Sequence, residues 1–257
     1  TQAASGHLGV LRAARPVPEV LADPATPPEL AERLRLAQQM RDFASRQLAL
    51  PENNSYRRYA DLHRPAVVWN VVAAPAFSLQ LKTWCYPLMG CAGYQGWFDL
   101  ARARSEAAAL QAQGWEVQVL PVPAYSTLGW SSLLGGDPLL NTFVYQPEGE
   151  LARLIFHELA HQVVYAKGDT AFNESFATAV ETIGVERWLA DAATPEVRAE
   201  YATYDARRVQ FRALLLDYRN RLETLYASPV SDDEKRAGKH AIFASLQADY
   251  AKLKASW

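Results

Sequence analysis

Residues 154–165 read L-I-F-H-E-L-A-H-Q-V-V-Y, and the spacing His157-Glu158-x-x-His161 within them can do chemistry. In a helix, residues four apart share a face and lie about 6 Å apart along the axis, so both imidazoles can reach one ion. Glu158 sits about 100° around from His157, beside that ion rather than on it. A carboxylate there can take a proton from a water polarised by Zn²⁺, whose acidity the metal brings towards about 7, and pass it to a leaving group. The surrounding helix is apolar, so three polar side chains would be costly to bury without a partner such as a metal.

A catalytic zinc commonly has three protein ligands and keeps a fourth position for water. The third ligand expected is Glu174, in N-E-S-F-A at 173–177. A helix over 148–167 would run about a turn and a half past His161, Gly168 and Asp169 would reverse the chain, and a new helix would start near Ala171. Two antiparallel legs rising at about 1.5 Å per residue bring residue 174 to the level of His161. Glu181, seven residues on and on the same face, competes as a ligand or serves as the partner of a ligand histidine. A donor for the developing oxyanion is also needed, and Tyr125, Tyr201, Tyr204 and His240 are the candidates. His7 and His63 read as ordinary polar residues.

The elements that must position these groups are legible in part. Thr26 to Glu29 has capping-box spacing with Pro27 at the first helical position, and Leu30, Leu34, Ala37, Met40, Phe43 and Leu48 follow near helical period. Val67 to Val72 reads as a strand, Phe77 to Trp84 as another, and Trp115 to Leu120 as a third ended by Pro121 and Pro123. Asp99 to Gln113 is helical, with Gly114 as its cap. Tyr125 to Pro147 reads as a wall or lid loop with a short edge strand near Thr142 to Tyr145. Beyond Glu148 helices are expected near 148–167, 171–192, 195–227 and 232–254. Thr194-Pro195 starts the third of them, and a Ser231–Glu234 capping box starts the fourth. The apolar residues of 196–227 form one stripe beside many arginines, which predicts an amphipathic helix with a solvated face.

Composition bounds the rest. With 257 residues, 49% hydrophobic and 21% charged, the chain can build a core without needing metals or disulfides simply to fold. Its 26 Lys and Arg against 28 Asp and Glu exclude a dedicated nucleic-acid or anionic-membrane binder. No apolar run of about 18 residues spans a bilayer. The small polar start, Thr1 to Ser5 without Met, suggests a processed form, and a lipid anchor upstream is compatible with it. Cys85 and Cys91 flank Pro87 and Gly90 and lack a partner histidine, so a short-loop disulfide is expected, which implies an oxidising compartment, for a bacterial protein the envelope or periplasm.

H-E-L-A-H followed by N-E-S-F-A resembles the gluzincin metallopeptidases, in which the motif is completed by a Glu on the next helix. The chain is similar over most of its length to a bacterial family of zinc aminopeptidases. The likeness includes G-H-L at 6–8, W-C-Y-P-L-M-G-C at 84–91, A-Y-S-T-L-G-W at 124–130, H-E-L-A-H-Q, and G-D-T-A-F-N-E-S-F-A. The resemblance implies zinc ligands His157, His161 and Glu174, with Glu158 as general base. Two features depart from it. The gap from His161 to Glu174 is short for gluzincins, and the G-x-M-E-N element that holds a substrate's free amine is absent, Gly90 to Gly96 offering no Glu.

The expected architecture is therefore α+β, mainly helical and zincin-like, in one domain over 1–257. A small mixed sheet and wall loop occupy 1–147 and roof the site, which is carried by the helical part, 148–257. The expected function is a zinc-dependent peptidase, exo- or endo-acting, with one Zn²⁺ per chain. An edge strand from 121–146 would hold the peptide by strand addition. The alternative is a non-catalytic or autoinhibited zinc-binding interaction protein of the cell envelope. An intact Glu158 counts against it, since a structural site has no use for an uncoordinated carboxylate.

Overall fold

The computed structural model describes residues 2–86, 90–124 and 135–257. It is a mixed α+β structure with far more helix than strand. Residues 125–134 of the predicted wall loop, Tyr125 among them, lie outside the described residues.

The first helix expected from periodicity is found, preceded by elements that carried no clear signal: α1 (Gln2–Ala13), β1 (Arg15–Pro16) and α2 (Val17–Ala22) come before α3 (Pro28–Leu48). The capping box does not form. Pro27 is the N-cap of α3 without a side-chain bond, and Thr26 instead donates its Oγ1 hydrogen to Val20 O at 2.6 Å, closing the turn after α2. Leu34, Ala37, Met40 and Ala44 of α3 are fully buried.

Arg41 is fully buried among them and is satisfied by the chain that follows. Its guanidinium donates to Ser55 O at 3.0 Å, Pro51 O at 2.6 Å and Asn53 O at 3.2 Å. A buried cation held by three carbonyls fixes the 51–55 loop to α3, because leaving any of these groups unpaired would be costly.

Two three-stranded sheets follow. β2 (Arg58–Ala60) pairs antiparallel with β1 and parallel with β8 (Leu139–Leu140), so the mixed sheet is this one. In the other, β3 (Val68–Ala74) lies between β6 (Gln95–Trp97) and β7 (Glu116–Val122), antiparallel to both, with Trp69 opposite Trp97 and Val71 opposite Val119. The helix α4 (Leu100–Ala112) packs on this sheet through Ala103, Ala107 and Leu110 against Trp69, Val71 and Val117. Gly114 follows α4 at φ +89°, as a capping glycine does.

Three strand expectations need correction. Pro121 does not end β7; it sits inside it, opposite Trp69, because β7 is an edge strand and a residue without an N–H is tolerated there. Phe77 to Thr83 is not a strand. Phe77 packs against Tyr226 with ring centroids 5.9 Å apart and lies under the Arg236 guanidinium, so this segment is spent on helix contacts rather than a ladder. Thr142 to Tyr145 is a turn: Val144 N reaches back to Leu140 O at 3.0 Å, with Phe143 and Val144 in the core. β8 precedes it and is wholly buried, so it cannot accept an added peptide strand.

In the chain between β3 and β6, β4 (Trp84–Tyr86) pairs antiparallel with β5 (Gly90–Ala92), and Cys85 faces Cys91 in a disulfide with sulfurs 1.99 Å apart.

The C-terminal half is α5 (Glu148–Ala160), α6 (Thr170–Asp191), α7 (Pro195–Ala227) and α8 (Asp232–Ala255). Thr194 caps α7 and the Ser231–Glu234 capping box starts α8, both as expected. The stripe on α7 is covered only in part: Tyr218 and Leu222 are buried, while Phe211 and Leu215 stay exposed. Among the described residues no helix is long and apolar enough to cross a membrane.

α5 is the hub. Its Leu151, Ile155, Phe156 and Leu159 enter the main core with α3, and glycines let its neighbours approach. A Cβ at Gly149 would meet Tyr201 Cδ2 of α7 at 2.4 Å, and one at Gly184 of α6 would meet Leu48 at 2.8 Å and Phe156 at 2.9 Å. Substituting Gly184→Val should therefore push α6 off α5 and α3 and cost about 1–3 kcal/mol, read by chemical denaturation. A variant as stable as wild type would mean that this contact is looser than described.

Candidate metal centre

α5 follows Pro147 and carries Glu148 and Glu150 in its first turn, where negative charge suits the helix dipole. Its apolar residues face the core, which turns His157 and Glu158 towards the rim. The helix ends at Ala160 rather than near 167, for a reason visible in the next residues. Gln162 is drawn off the helical path, accepting from Asn53 Nδ2 at 2.7 Å and donating to Ser55 Oγ at 3.2 Å, while Val163, Val164 and Tyr165 stay exposed. His161, the C-cap of α5, keeps a helical backbone at φ −59° and ψ −19°, and its N–H reaches His157 O at 3.3 Å. The two imidazoles thus keep the helical spacing, with ring centroids 4.7 Å apart and planes nearly perpendicular.

The return segment is fastened by Asn173, a buried side chain that sequence reasoning gave no role. Its amide accepts from Ala166 N at 2.8 Å and donates to Ala166 O at 2.9 Å, tying the turn to the first coil of α6. Asp169 caps that coil by accepting from Phe172 N at 2.9 Å. Glu174 then reaches both histidines, with Oε2 at 3.4 Å from His157 Nε2 and Oε1 at 3.7 Å from His161 Nε2. The two Nε2 atoms are 3.1 Å apart.

His157, His161 and Glu174 form the group of described residues that could hold a metal ion, their ligand atoms all within 4.8 Å of one another. Lone pairs that converge in this way repel one another unless a proton or cation sits among them. A tetrahedral ion with nitrogen and oxygen bonds of about 2.0–2.1 Å has ligand-to-ligand edges of about 3.3–3.4 Å. The three observed separations bracket that value, so the donor set fits such an ion.

Glu181 fills the role of histidine partner rather than competing ligand. Its carboxylate, 4% exposed, accepts from His157 Nδ1 at 2.7 Å and from Arg153 Nη2 at 2.6 Å. That bond fixes the ring and leaves Nε2 aimed at the other ligands. Arg153 also lies 3.8 Å from Glu150, which pairs with Arg208 of α7 at 2.9 Å, so one charge ladder crosses three helices. His161 lacks an equivalent second partner: its Nδ1 is buried and unbonded among the described residues.

The electrostatics follow from these contacts. Burial disfavours the His157 imidazolium, but hydrogen bonds with Glu174 and Glu181 outweigh it and raise the pKa to about 9. His161 is lowered by burial and by His157. Glu174 is lowered chiefly by its bond with His157. Burial would raise Glu181, yet His157 and Arg153 hold it below the ordinary carboxylate value. Burial pushes Glu158 up to about 7; His157 opposes this, and the negative charges of Asp137, Glu174 and Glu181 add to it.

Two side chains missed in the sequence are coupled electrostatically to Glu158. Asp137 is buried; its backbone is locked to the 54–56 segment by Tyr56 N to Asp137 O, 2.6 Å, and by Asp137 N to Ser55 Oγ, 3.3 Å. His7 of α1 lies within its field. Tyr94, 47% exposed as a residue, lies in the bend between β5 and β6, and desolvation of its hydroxyl, then the charges of Glu174 and Glu158, raise its pKa. A tyrosine in a glycine-rich stretch carried no periodicity or motif to single it out.

The other expected donors are elsewhere. Tyr201 packs on Gly149 beneath the Arg208 guanidinium, Tyr204 is exposed on α7, and His240 is exposed on α8 beside Lys239, which reaches Ala76 O. His63 is exposed beside Asp61.

A family model described as "Putative aminopeptidase" matches residues 1–257. The chain belongs to that family. The match runs from α1 to the end of α8, so it takes in both the sheets and the helices that carry the histidines. No curated protein and no solved structure matches significantly.

Removing the Glu181 carboxylate should loosen the ring of His157 and leave Arg153 without its strongest partner. Glu181→Ala should therefore lower divalent-cation affinity by about 10–100-fold, measured by competition with a chromogenic chelator. Unchanged affinity would show that His157 is oriented by something else.

Proposed function

We propose that this chain is a zinc-dependent peptidase of the gluzincin type, acting as an aminopeptidase. The observation that carries this reading is the convergence of His157 Nε2, His161 Nε2 and the Glu174 carboxylate, with Glu158 beside them on the same helix turn.

Zinc held by His157, His161 and Glu174 would make a water acidic enough to attack near neutral pH and would polarise the peptide carbonyl. Glu158 supplies the proton traffic. It is one residue beyond a ligand and so turned to the side of the site, and burial suits its carboxyl to accept a proton near pH 7 and return it to the leaving amine. Tyr94, which lies in the field of Glu174 and Glu158, is our candidate O–H donor for the oxygen on which negative charge develops. Glu181 and Arg153 keep His157 in one orientation throughout. The Cys85–Cys91 bridge supports a place in an oxidising compartment such as the bacterial envelope.

Glu158→Gln should keep one zinc per chain by elemental analysis and lose about 10³-fold or more in peptide hydrolysis, read by mass spectrometry of a peptide digest. Full activity in that variant would remove Glu158 from the mechanism. Sequential loss of N-terminal residues is the pattern expected of wild type, and internal cuts would replace the aminopeptidase reading by an endopeptidase one. Tyr94→Phe should lower kcat by about 10–100-fold with KM little changed; an effect confined to KM would make Tyr94 a binding residue instead.

A further inference from the structure

Cys85 and Cys91 take no part in the chemistry above, yet their bridge lies three residues from Tyr94. β4 and β5 pair through Trp84 with Ala92, Cys85 with Cys91 and Tyr86 with Gly90, and among the described residues no third strand joins them. A two-stranded hairpin is marginal in water by itself, and a ladder of three pairs is short even for one. Both cysteines are exposed, so little burial supports the ladder at that pair. The bridge crosslinks the central pair and supplies the constraint that so short a ladder lacks.

The two limbs of the hairpin are anchored unequally. The incoming limb is fastened just before β4. Lys82 N donates to Ala73 O of β3 at 2.7 Å, and the Lys82 ammonium lies 5.6 Å from the Trp84 ring and 5.0 Å from that of Trp115. Trp84 itself packs against the core beneath α4. The outgoing limb, β5, shares this anchorage through the three ladder pairs and the bridge. Beyond it come Gly93, Tyr94 and then Gln95, which pairs with Val71 of β3. Tyr94 therefore hangs between a strand held in a three-stranded sheet and a strand held by the bridge. Gly93, on the bridge side, lies against the Leu81 side chain, where a Cβ would come within 3.1 Å of Cδ1. Lacking that Cβ, it is also the link that resists rotation least. If β5 comes loose, the backbone of Tyr94 is fixed on one side only.

We propose that the Cys85–Cys91 bridge is the positioning element of Tyr94, holding the phenol towards the metal centre, and that reducing the bridge withdraws the O–H donor from the reaction. The inference rests on the peptidase reading and on Tyr94 as its donor. Tyr94 lies in the field of Glu174 and Glu158, so a displacement of its ring changes what its hydroxyl can serve. A dithiol carries out the reduction: the S–S bond breaks, each cysteine sulfur gains a proton, and the reagent closes to its own disulfide. Exposure of both cysteines admits such a reagent. The metal group is placed by α5, α6 and the 51–55 loop, so the metal stays while the donor leaves.

The test compares oxidised, zinc-loaded protein with the same protein reduced by a water-soluble phosphine, which spares the zinc that a dithiol would chelate. Reduction should lower kcat on a peptide by about 10–100-fold, to the level of Tyr94→Phe, with KM and zinc content little changed. Reoxidation should restore it, and the Cys85→Ser, Cys91→Ser double variant should match the reduced protein. In Tyr94→Phe, reduction should leave kcat within about twofold of its starting value, because the donor is already absent. A reduced wild type with full kcat, or loss of zinc on reduction, would overturn the proposal. So would a loss in Tyr94→Phe as large as in wild type, which would place the effect of the bridge elsewhere. Nuclear magnetic resonance of ring-labelled tyrosine reads the phenol without any turnover. The Tyr94 signal, identified by its absence from Tyr94→Phe, should move on reduction to the shift of a free tyrosine, while the buried Tyr218, bonded to Asp249, keeps its own. If oxidised wild type cleaves no peptide, the peptidase reading fails, and the positioning claim is decided by that signal: movement upholds it and an unchanged shift overturns it.

Discussion

One buried carboxylate organises the C-terminal half of this protein. Glu181 lies on α6, almost without solvent, and such a charge is tolerable only if its lone pairs are met. They are met by His157 and Arg153, two residues of α5 one turn apart. The same bonds that satisfy Glu181 therefore lock α5 against α6 and set the tautomer and tilt of His157. Because Arg153 also faces Glu150, and Glu150 faces Arg208, the constraint extends to α7. Geometry at the metal group and the packing of three helices are thus parts of one electrostatic requirement. Removing the acid would unsettle both.

A second line of support comes from the N-terminal half. Arg41 holds the 51–55 loop by its carbonyls, and that loop in turn holds Gln162, the residue after His161. The end of α5 is placed by this chain of bonds as much as by helix propensity. Asn173 completes it from the other side by pinning Ala166. The metal group lies where a rigid helix meets a turn held at both of its flanks, an arrangement that keeps ligands in place without a long regular hairpin.

This explains what could be read in the sequence. His157, Glu158 and His161 were legible because helical spacing alone relates them. Glu174 was reached through an expected helix to residue 167 that stops at Ala160; the turn held by Asn173 nevertheless returns α6 so that Glu174 meets both histidines, by a different path from the one expected. The long helices of the C-terminal half were plain from their caps and periodicity, as was β3. The short strands, the helical start at α1 and the Pro-containing edge of β7 were not, since two- or three-residue ladders leave no pattern. Tyr94 and Asp137 were invisible for a related reason. They lie in segments distant from Glu158 in sequence, and only the tertiary fold brings them within its field.

The central claim is that His157, His161 and Glu174 bind one zinc ion as its protein ligands. X-ray absorption at the zinc edge on the protein loaded with one equivalent of zinc tests this most directly. The account predicts a four-coordinate site with two imidazole nitrogens and oxygen neighbours at about 2.0–2.1 Å, and the loss of one imidazole in His161→Ala. A shell of water-like oxygens without imidazole scattering, or a sulfur neighbour at about 2.3 Å, would contradict it.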